Sequence, residues 1–321
     1  MESEIIHGLA LEKSMELENN SINCIITSPP YWQLRDYGFS EQWGLEPTYN
    51  EYLEHLWSLF DVLKDKLTED GTVWVNLGDS YNSHTAYAKT CGGITKKRLE
   101  NDPSAVSTIP QRQSQKHAPD KCLLLIPHRF AIGMIDRGWI LRNDIIWAKP
   151  NGMPESVTDR FSKKHEFIFL FVKSKKYYFD LEGIKNPLKG ASLERMQYGY
   201  GHKTEKQIEG RKQDGRPIGF KDHLKGANPG DVSDFWAITT KPNSTNHYAS
   251  YNSQLIDKPI IAGCPKGGTI LDPFAGTGTT LVRAMQLERN AKGIEGNPEY
   301  VKIAQKNIEP YLIQNDLFKV A

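Results

Sequence analysis

The sequence predicts an α/β fold, a doubly wound and mostly parallel sheet with helices on both faces. Strand-like and helix-like segments alternate along the chain. A glycine-rich turn lies between a strand and a helix near the C-terminus, and a Pro-Pro pair ends a buried strand near the N-terminus. Because both loops follow strands, we expect them at the carboxyl edge of the sheet, where α/β folds bind ligands.

Length and composition describe a globular chain. Its 321 residues suffice for one large domain with an insertion, and 38% of them are hydrophobic. No apolar run approaches the ~18 residues of a membrane span; the longest, residues 167–172, predicts a buried strand. The acidic start, residues 1–4, argues against a secretory signal, so we expect a cytosolic protein.

The four cysteines point to reduced thiols. They are widely spaced and form no Cys-x-x-Cys pair, which argues against a zinc site and against a disulfide framework. They are Cys24, Cys91, Cys122 and Cys264. We therefore expect no metal.

Charge is uneven along the chain, although the net charge is only +1. Residues 1–80 carry 4 basic and 15 acidic side chains, whereas residues 81–230 carry 27 basic and 15 acidic. A polyanion would therefore meet the middle of the chain, although a solvated surface of uneven charge explains the pattern equally well. The candidate DNA contacts are Lys96, Lys97, Arg98, Arg211 and Lys212.

The first half of the chain predicts the following elements. Strands are expected at residues 4–7, 21–27 and 72–77. A helix is expected at residues 52–67, where Leu56, Leu59 and Leu63 recur at helical spacing and Gly71 follows as a stop. Residues 81–121 are polar, show no period and predict a mobile loop.

The second half continues the alternation. We expect helices at residues 127–137, 254–263, 279–287 and 298–308, and strands at 139–147, 165–172, 269–271 and 291–295. Residues 150–164 predict a loop, and residues 173–179 predict a strand paired with 165–172. Residues 181–230 are rich in Gly, Lys and Gln and predict an inserted segment between two halves of one domain, residues 1–180 and 231–321.

The glycine-rich turn predicts a nucleoside-containing cofactor. Asp272 ends a predicted strand, Gly276 and Gly278 allow a tight turn, and Thr279 opens a helix whose amides can cap a polar ligand. Glu295 ends the next strand, where a carboxylate can accept hydrogen bonds from two ribose hydroxyls.

Three further interpretations of this turn compete. A dinucleotide site would require a third glycine where Leu281 stands, and a phosphate-binding P-loop would require a lysine that is absent. A plain strand-to-helix turn is the third. S-adenosylmethionine needs an acid for its amino group, a turn for its backbone and an acid for its ribose, and Asp272, the two glycines and Glu295 match that set.

The Pro-Pro loop predicts an amine-binding site. Pro29 and Pro30 lack amide donors and stiffen the loop, so the Ser28 hydroxyl and the Pro29 carbonyl act as acceptors. Tyr31 offers a flat face on which a base can stack. The simpler interpretation is a Pro-rich turn that closes a strand, with Tyr31 and Trp32 in the core.

Base chemistry explains why such a loop is needed. The lone pair of an exocyclic amine is delocalised into the ring, so acceptors that hold both N–H groups direct it at a methyl donor. The displacement needs positioning and no metal. Because a duplex hides its base amines in pairing, the target must be flipped out, and basic residues can hold the phosphates.

These motifs together resemble the amino-group (N4-cytosine or N6-adenine) DNA methyltransferases of the β arrangement, as found in restriction–modification systems. The similar segments are residues 27–32, 72–80, 144–151, 163–166, 247–255, 272–280 and 293–297. The catalytic motif precedes the cofactor motif, which is the β order.

The resemblance implies a Rossmann-like methyltransferase fold with an antiparallel strand, S-adenosylmethionine as cofactor and target recognition by residues 181–230. It implies cofactor contacts by Tyr251, Leu255, Asp272, Pro273, Phe274, Gly276, Gly278, Thr279, Glu295 and Asn297. It assigns catalysis to Ser28, Pro29, Pro30 and Tyr31, with Asn76 and Asp79 as support. It also implies duplex DNA as substrate in a prokaryotic cytosol, a cognate restriction endonuclease and a homodimer.

Ser28 favours cytosine N4 over adenine N6, since the Ser-Pro-Pro-Tyr form is typical of N4 enzymes in this family. No cysteine follows a proline, which argues against methylation at cytosine C5. An RNA substrate and a DNA-binding protein without catalysis also remain open. The chain departs from the family at residues 7–9, His-Gly-Leu, where an acid is usual, so Asn297 is expected to carry more of the adenine contact.

Overall fold

The computed structural model describes residues 1–82, 115, 118–185, 233–240 and 253–318, without the side chains of 313–318. Its strands are β1 (Ser3–His7), β2 (Ile22–Thr27), β3 (Leu67–Leu77), β4 (Ile140–Ala148), β5 (His165–Val172), β6 (Phe235–Ala237), β7 (Thr269–Asp272) and β8 (Asn290–Glu295). Its helices are α1 (Ala10–Glu16), α2 (Tyr49–Lys66), α3 (Ile126–Asp136), α4 (Ser253–Gly263), α5 (Thr279–Gln286) and α6 (Pro298–Phe318), with a 3₁₀ turn at Glu182–Ile184.

The eight strands form one sheet in the order β1-β8-β7-β2-β3-β5-β4-β6. Strand β5 pairs antiparallel with both of its neighbours, and the other pairs are parallel. Seven described strands therefore run in one direction and β5 runs against them. This is the predicted mostly parallel sheet with an antiparallel strand.

Helices cover both faces of the sheet, and each face has its own apolar core. Ile25 of β2 and Val73 of β3 pack with α2 and α3 on one face. Cys24 of β2 and Trp74 of β3 pack with α4 and α5 on the other. Strands buried on both faces are apolar at successive positions, which explains why β2 shows no alternation of polar and apolar residues.

Helix α2 has well-defined sequence signals at its start. Thr48 and Glu51 form a capping box, in which each side chain accepts from the other residue's amide. Apolar side chains at helical spacing face the core; the fully buried ones include Leu56, Leu59 and Leu63. The predicted helix is confirmed and begins three residues earlier than expected.

Most predicted elements are present, and the differences have physical causes. Residues 173–179 form no strand, so that prediction was wrong: β5 is already paired on both sides by β3 and β4, which leaves no edge for another partner. Helix α6 runs on to Phe318, past the predicted end at residue 308. The sequence pattern also gave no sign of α1 and β6, which are only 7 and 3 residues long.

The loop predicted at residues 150–164 contains no helix or strand, as expected. Nearly all of the basic loop 81–121 and of the insertion 181–230 lie outside the described residues. In the part of the chain that is described, no helix combines the length and the apolar character needed to cross a bilayer.

Replacing Thr48 with Ala should destabilise the fold by about 1 kcal/mol, because the amide of Glu51 loses its capping acceptor. Urea unfolding monitored by circular dichroism measures the change. Thr48→Ser keeps the hydroxyl and should stay close to the parent. Equal stability of the Ala and Ser variants would contradict a contribution from the cap.

Candidate active site

Polar side chains from five strands meet at the carboxyl edge of the parallel strands. Ser28 and Asp79 follow β2 and β3, while Asp272 and Glu295 end β7 and β8. Because β5 runs the opposite way, its N-terminal end, with Glu166 as the second residue, lies at the same edge. The edge therefore combines residues that are far apart in the sequence.

A cleft at this edge contains both predicted motifs. It encloses about 720 Å³ of empty space, open solvent at its mouth included. Ser28 and Pro30 line it together with Phe274, Gly276 and Glu295. We call it the cofactor cleft; its other lining residues are Gly8, Leu9, Ala10, Tyr37, Phe39, Glu41, Trp43, Pro273, Ile294, Gly296 and Tyr300.

Glu295 is fixed in this cleft by backbone amides. Its two carboxylate oxygens accept from the amides of Gly276 and Asn297, each at 2.8 Å. Burial raises the pKa of Glu295, and the two amides oppose that rise. Gly276 has a φ of +54°, a left-handed conformation that suits glycine. The chain can therefore turn here while the Gly276 amide donates to the Glu295 carboxylate.

Asp272 lies where predicted, but its carboxylate is directed into the protein. One oxygen accepts from the Thr27 hydroxyl at 2.8 Å and from the Phe274 amide at 3.1 Å; the other accepts from the Thr280 hydroxyl at 2.6 Å. It is 1% exposed, and burial raises its pKa from 3.8 to about 6. Asp272 is not among the described residues that line the cleft. Its hydrogen bonds instead fix the loop that follows β7.

Four further residues predicted to hold the cofactor do not line the cleft: Gly278, Thr279, Leu255 and Asn297. Gly278 is the N-cap of α5, with a φ of +81°, and Thr279 begins that helix. Leu255 lies in α4 and is buried in the core. Asn297 accepts from the amide of Glu299 at 2.9 Å and donates to the carbonyl of Tyr37 at 3.0 Å.

An aromatic loop that the sequence motifs did not indicate forms a wall of the cleft. Tyr37, Phe39 and Trp43 all line the cleft, and the Trp43 ring lies 5.6 Å from the ring of Phe274. Three aromatic residues within seven positions, directly after the Pro-Pro loop, were the available signal. Gly8 and Leu9, the loop that lacks the family's usual acid, also line the cleft.

The Pro-Pro loop is held rigidly in place. The buried Tyr52 hydroxyl of α2 donates to the carbonyl of Pro30 at 2.8 Å, and the Trp32 indole donates to the carbonyl of Glu46 at 2.9 Å. Pro29 itself is buried. The loop is therefore anchored directly after the acceptors that it presents.

Tyr31 connects the loop to β3 and β5. Its hydroxyl lies 2.8 Å from Glu166 Oε2, 3.1 Å from Asn76 Oδ1 and 3.5 Å from the Ser28 hydroxyl. The backbone of Gly78 lies against the ring, since a Cβ there would come within 2.6 Å of it. Predicted residues Asn76 and Tyr31 are thus in direct contact, and Glu166 joins them.

A second cavity lies beyond Tyr31. It encloses about 1680 Å³, open solvent included. We call it the outer cavity; it is lined by Tyr31, Leu34, Gly78, Asp79, Ser80, Tyr81, Asn82, Lys121, residues 155–160, Lys163 and Glu166. Cationic groups stand around it: Arg160 lies over the ring of Tyr81 at 4.0 Å, and Lys163 donates to the carbonyl of Asp79.

Asp79 is the predicted supporting residue that lines the outer cavity. One carboxylate oxygen accepts from the amides of Ser80 at 2.8 Å and Ile126 at 3.1 Å. Burial raises the pKa of Asp79. The other predicted site residues, Tyr251, Lys96, Lys97, Arg98, Arg211 and Lys212, lie outside the described residues.

Comparison with known proteins identifies relatives over nearly the whole chain. The profile of the DNA methylase family N6_N4_Mtase matches residues 22–306. Type II methyltransferase M.Cfr9I of Citrobacter freundii is 36% identical, covering 95% of this chain and 87% of its own. Type II methyltransferase M.SmaI of Serratia marcescens is 37% identical over 95% of this chain and 90% of its own.

Solved structures share the fold. The cytosine-N4-specific PvuII DNA methyltransferase has a TM-score of 0.61 at 18% identity, covering 96% of this chain and 86% of its own. TTHA0409 of Thermus thermophilus, a putative DNA modification methylase in complex with S-adenosyl-L-methionine, has a TM-score of 0.56 at 18% identity, covering 97% and 96%.

The residues of the cofactor cleft fit S-adenosylmethionine. The apolar and aromatic walls of the cleft suit an adenine ring. The carboxylate of Glu295, which two amides orient, can still accept hydrogen bonds from ribose hydroxyls. Gly276 leaves its side of the cleft open, since a Cβ there would meet nothing within 4 Å. No phosphate-binding lysine is required of such a site.

Asp272 should make stability depend on pH. Because its pKa rises from 3.8 to about 6 on folding, its protonated form is favoured in the native state, and its stabilising contribution is largest at low pH and lost as pH rises through about 6. The unfolding free energy of the parent, relative to Asp272→Asn, should therefore fall by up to about 3 kcal/mol between pH 4 and pH 7. Denaturant titrations of both proteins at each pH measure this difference; a constant or rising difference would contradict the raised pKa.

Proposed function

The chain belongs to the N6/N4 DNA methylase family as an S-adenosylmethionine-dependent DNA methyltransferase of Type II restriction–modification, and we propose that it methylates the exocyclic N4 amine of a cytosine flipped out of duplex DNA. The observation that carries the proposal is the shared cleft, in which Ser28 and Pro30 face Phe274, Gly276 and Glu295. A methyl donor and an amine must meet in such a cleft.

The cofactor supplies an electrophilic methyl group when bound. We assign its ribose to Glu295, whose carboxylate is already oriented by two amides. We assign its adenine to the walls formed by Phe39, Trp43 and Phe274. Asp272 then acts through the loop, because its carboxylate fixes the amide of Phe274.

The amine of the target base is held by the Ser28 hydroxyl and the Pro29 carbonyl. The carbonyl of Pro30 is engaged by Tyr52, so the neighbouring acceptors remain for the substrate. The base stacks on the Tyr31 ring, whose one face rests on Gly78. Acceptors fixed before the reaction lower its barrier, because no reorganisation is needed when the amine attacks.

The outer cavity is where we place the flipped nucleotide and the adjoining DNA backbone. Tyr31 lines it. Three cationic side chains lie at its wall: Lys163, Lys121, which pairs with Asp159, and Arg160, which pairs with Glu155. Residues 181–230 are proposed to recognise the target sequence. A cognate restriction endonuclease, a homodimer and a prokaryotic cytosolic location are proposed from the family resemblance.

Cytosine N4 is favoured over adenine N6 because serine occupies position 28. Methylation of duplex DNA with labelled S-adenosylmethionine, followed by nucleoside chromatography, should give N4-methylcytosine. N6-methyladenine as the sole product would contradict the assignment of cytosine N4 and favour adenine N6. A preference for RNA would favour an RNA methyltransferase, and no turnover on any nucleic acid would favour a DNA-binding protein without catalysis.

Ser28→Ala should lower the rate of methyl transfer by about 100-fold, because the amine loses an acceptor in the transition state. Cofactor affinity should be retained, since Ser28 is not assigned to the cofactor. Single-turnover methylation and calorimetric titration measure the two quantities. Equal loss of rate and of cofactor affinity would place Ser28 in cofactor binding instead.

Glu295→Gln should weaken S-adenosylmethionine binding by about 10–100-fold, because charge-assisted hydrogen bonds contribute about 1.5–3 kcal/mol. Glu299→Gln is the matched control, since Glu299 lies exposed in α6 and pairs with Lys302. Calorimetric titration of both variants tests the assignment. Unchanged affinity of the Glu295 variant would remove Glu295 from the cofactor site.

A further inference from the structure

The proposed reaction leaves one proton to be placed. When an amine nitrogen takes a methyl group it gains a bond and a positive charge, and neutrality returns only when an N–H proton leaves. Ser28 and Tyr31 can pass a proton on, but neither hydroxyl holds an extra one at neutral pH. A carboxylate in contact with them can serve as the acceptor.

Asp272 behind the cofactor cleft and Glu295 within it are poorly placed for that task. Asp272 is buried and accepts from Thr27, Thr280 and the Phe274 amide. Glu295 is engaged by two amides and is assigned to the ribose. Neither contacts Tyr31 in the described hydrogen-bond network.

Glu166 does contact Tyr31. The phenol carries one proton and has two acceptors, Glu166 Oε2 at 2.8 Å and Asn76 Oδ1 at 3.1 Å. The shorter bond leads to the charged acceptor, as expected of a charge-assisted hydrogen bond. Asn76 donates its amide to the carbonyl of Phe167 at 3.0 Å, which orients its oxygen toward the phenol.

Glu166 is also held in place by an ion pair and has access to solvent, and a proton acceptor needs both. Lys149 pairs with its other oxygen, Oε1, and lies over the ring of Trp147 at 4.3 Å. The side chain of Glu166 is 15% exposed and lines the outer cavity. A proton that reaches Glu166 can therefore leave to solvent without crossing the cofactor cleft.

Resting on the proposed function, we infer that Glu166 is a positioning residue for Tyr31 and the final acceptor of the proton released by methyl transfer. The N–H bond of the methylated amine breaks and its electron pair stays on nitrogen, which becomes neutral. The proton forms a new O–H bond on Tyr31 as the original phenolic proton moves to Glu166 Oε2. The Ser28 and Tyr31 oxygens are 3.5 Å apart, so an amine bound to Ser28 lies beside the phenol.

Single-turnover methylation with saturating cofactor tests this inference. Glu166→Gln should lower the rate by about 100-fold, a typical contribution of a general base, while affinities for cofactor and DNA stay unchanged. Glu54→Gln is the matched control, because Glu54 also pairs with a cation, Arg137 at 3.3 Å, but lines neither the cofactor cleft nor the outer cavity. A Glu166 variant as fast as this control would overturn the inference.

Two further measurements separate proton transfer from mere support of Tyr31. Tyr31→Phe keeps the ring and loses the hydroxyl, so combining it with Glu166→Gln should slow the reaction no more than the slower single variant. Small carboxylates added to Glu166→Ala should restore activity in order of their basicity, since the outer cavity is open to them. Additive losses, or rescue that ignores basicity, would leave Glu166 without a role as acceptor.

These results are independent of which base is methylated. A parent enzyme that makes N6-methyladenine would change the proposed function and leave the proton route intact, since adenine N6 must also lose a proton. If the Glu166→Gln enzyme were fully active and gave the normal product, the role of Glu166 as proton acceptor would be contradicted, and the proposed function would stand.

Discussion

The parallel pairing of β2 with β7 is the contact on which the rest of the site depends. It joins Cys24 to Ile270 and Ile25 to Leu271, and it is extended at the sheet edge by the hydrogen bond from Thr27 to Asp272. That bond links residues 245 positions apart. Both loops leave adjacent strands in the same direction, so the amine acceptors and the cofactor turn must open into one cleft.

Asp272 shows how a buried charge can organise a loop that lines the site. Taking a carboxylate out of water is costly, and the raised pKa reflects that cost. Thr27, Thr280 and the Phe274 amide offset it, and together they bind β2, α5 and the cofactor loop to one group. The loop is thereby fixed before any ligand arrives, which reduces the ordering cost of binding.

The sequence predicted the parts of this site that depend on local rules. The tips of β2 and β7 followed from apolar runs that end before Pro29 and at Asp272, and β8 was predicted as a strand between two helices that ends at Glu295. Contacts made by long-range packing could not be predicted in this way. Nothing local places Glu166 beside Tyr31, because their contact requires β5 to run antiparallel beside β3. The aromatic wall at Phe39 and Trp43 belongs to a loop without periodicity, and only the fold brings it over the cleft.

The two cavities meet at Ser28 and Tyr31, and this arrangement divides the chemistry of the reaction. In the proposed reaction the cofactor cleft provides the acceptors that orient the amine, and the prolines of that loop cannot donate a competing hydrogen bond. The outer cavity contains the carboxylate paired with Lys149 and has access to solvent. A cationic sulfonium donor would be stabilised by a carboxylate placed against it, which would lower the reactivity of its methyl group. Separating Glu166 from the cofactor cleft by the ring of Tyr31 lets the site accept a proton without that loss.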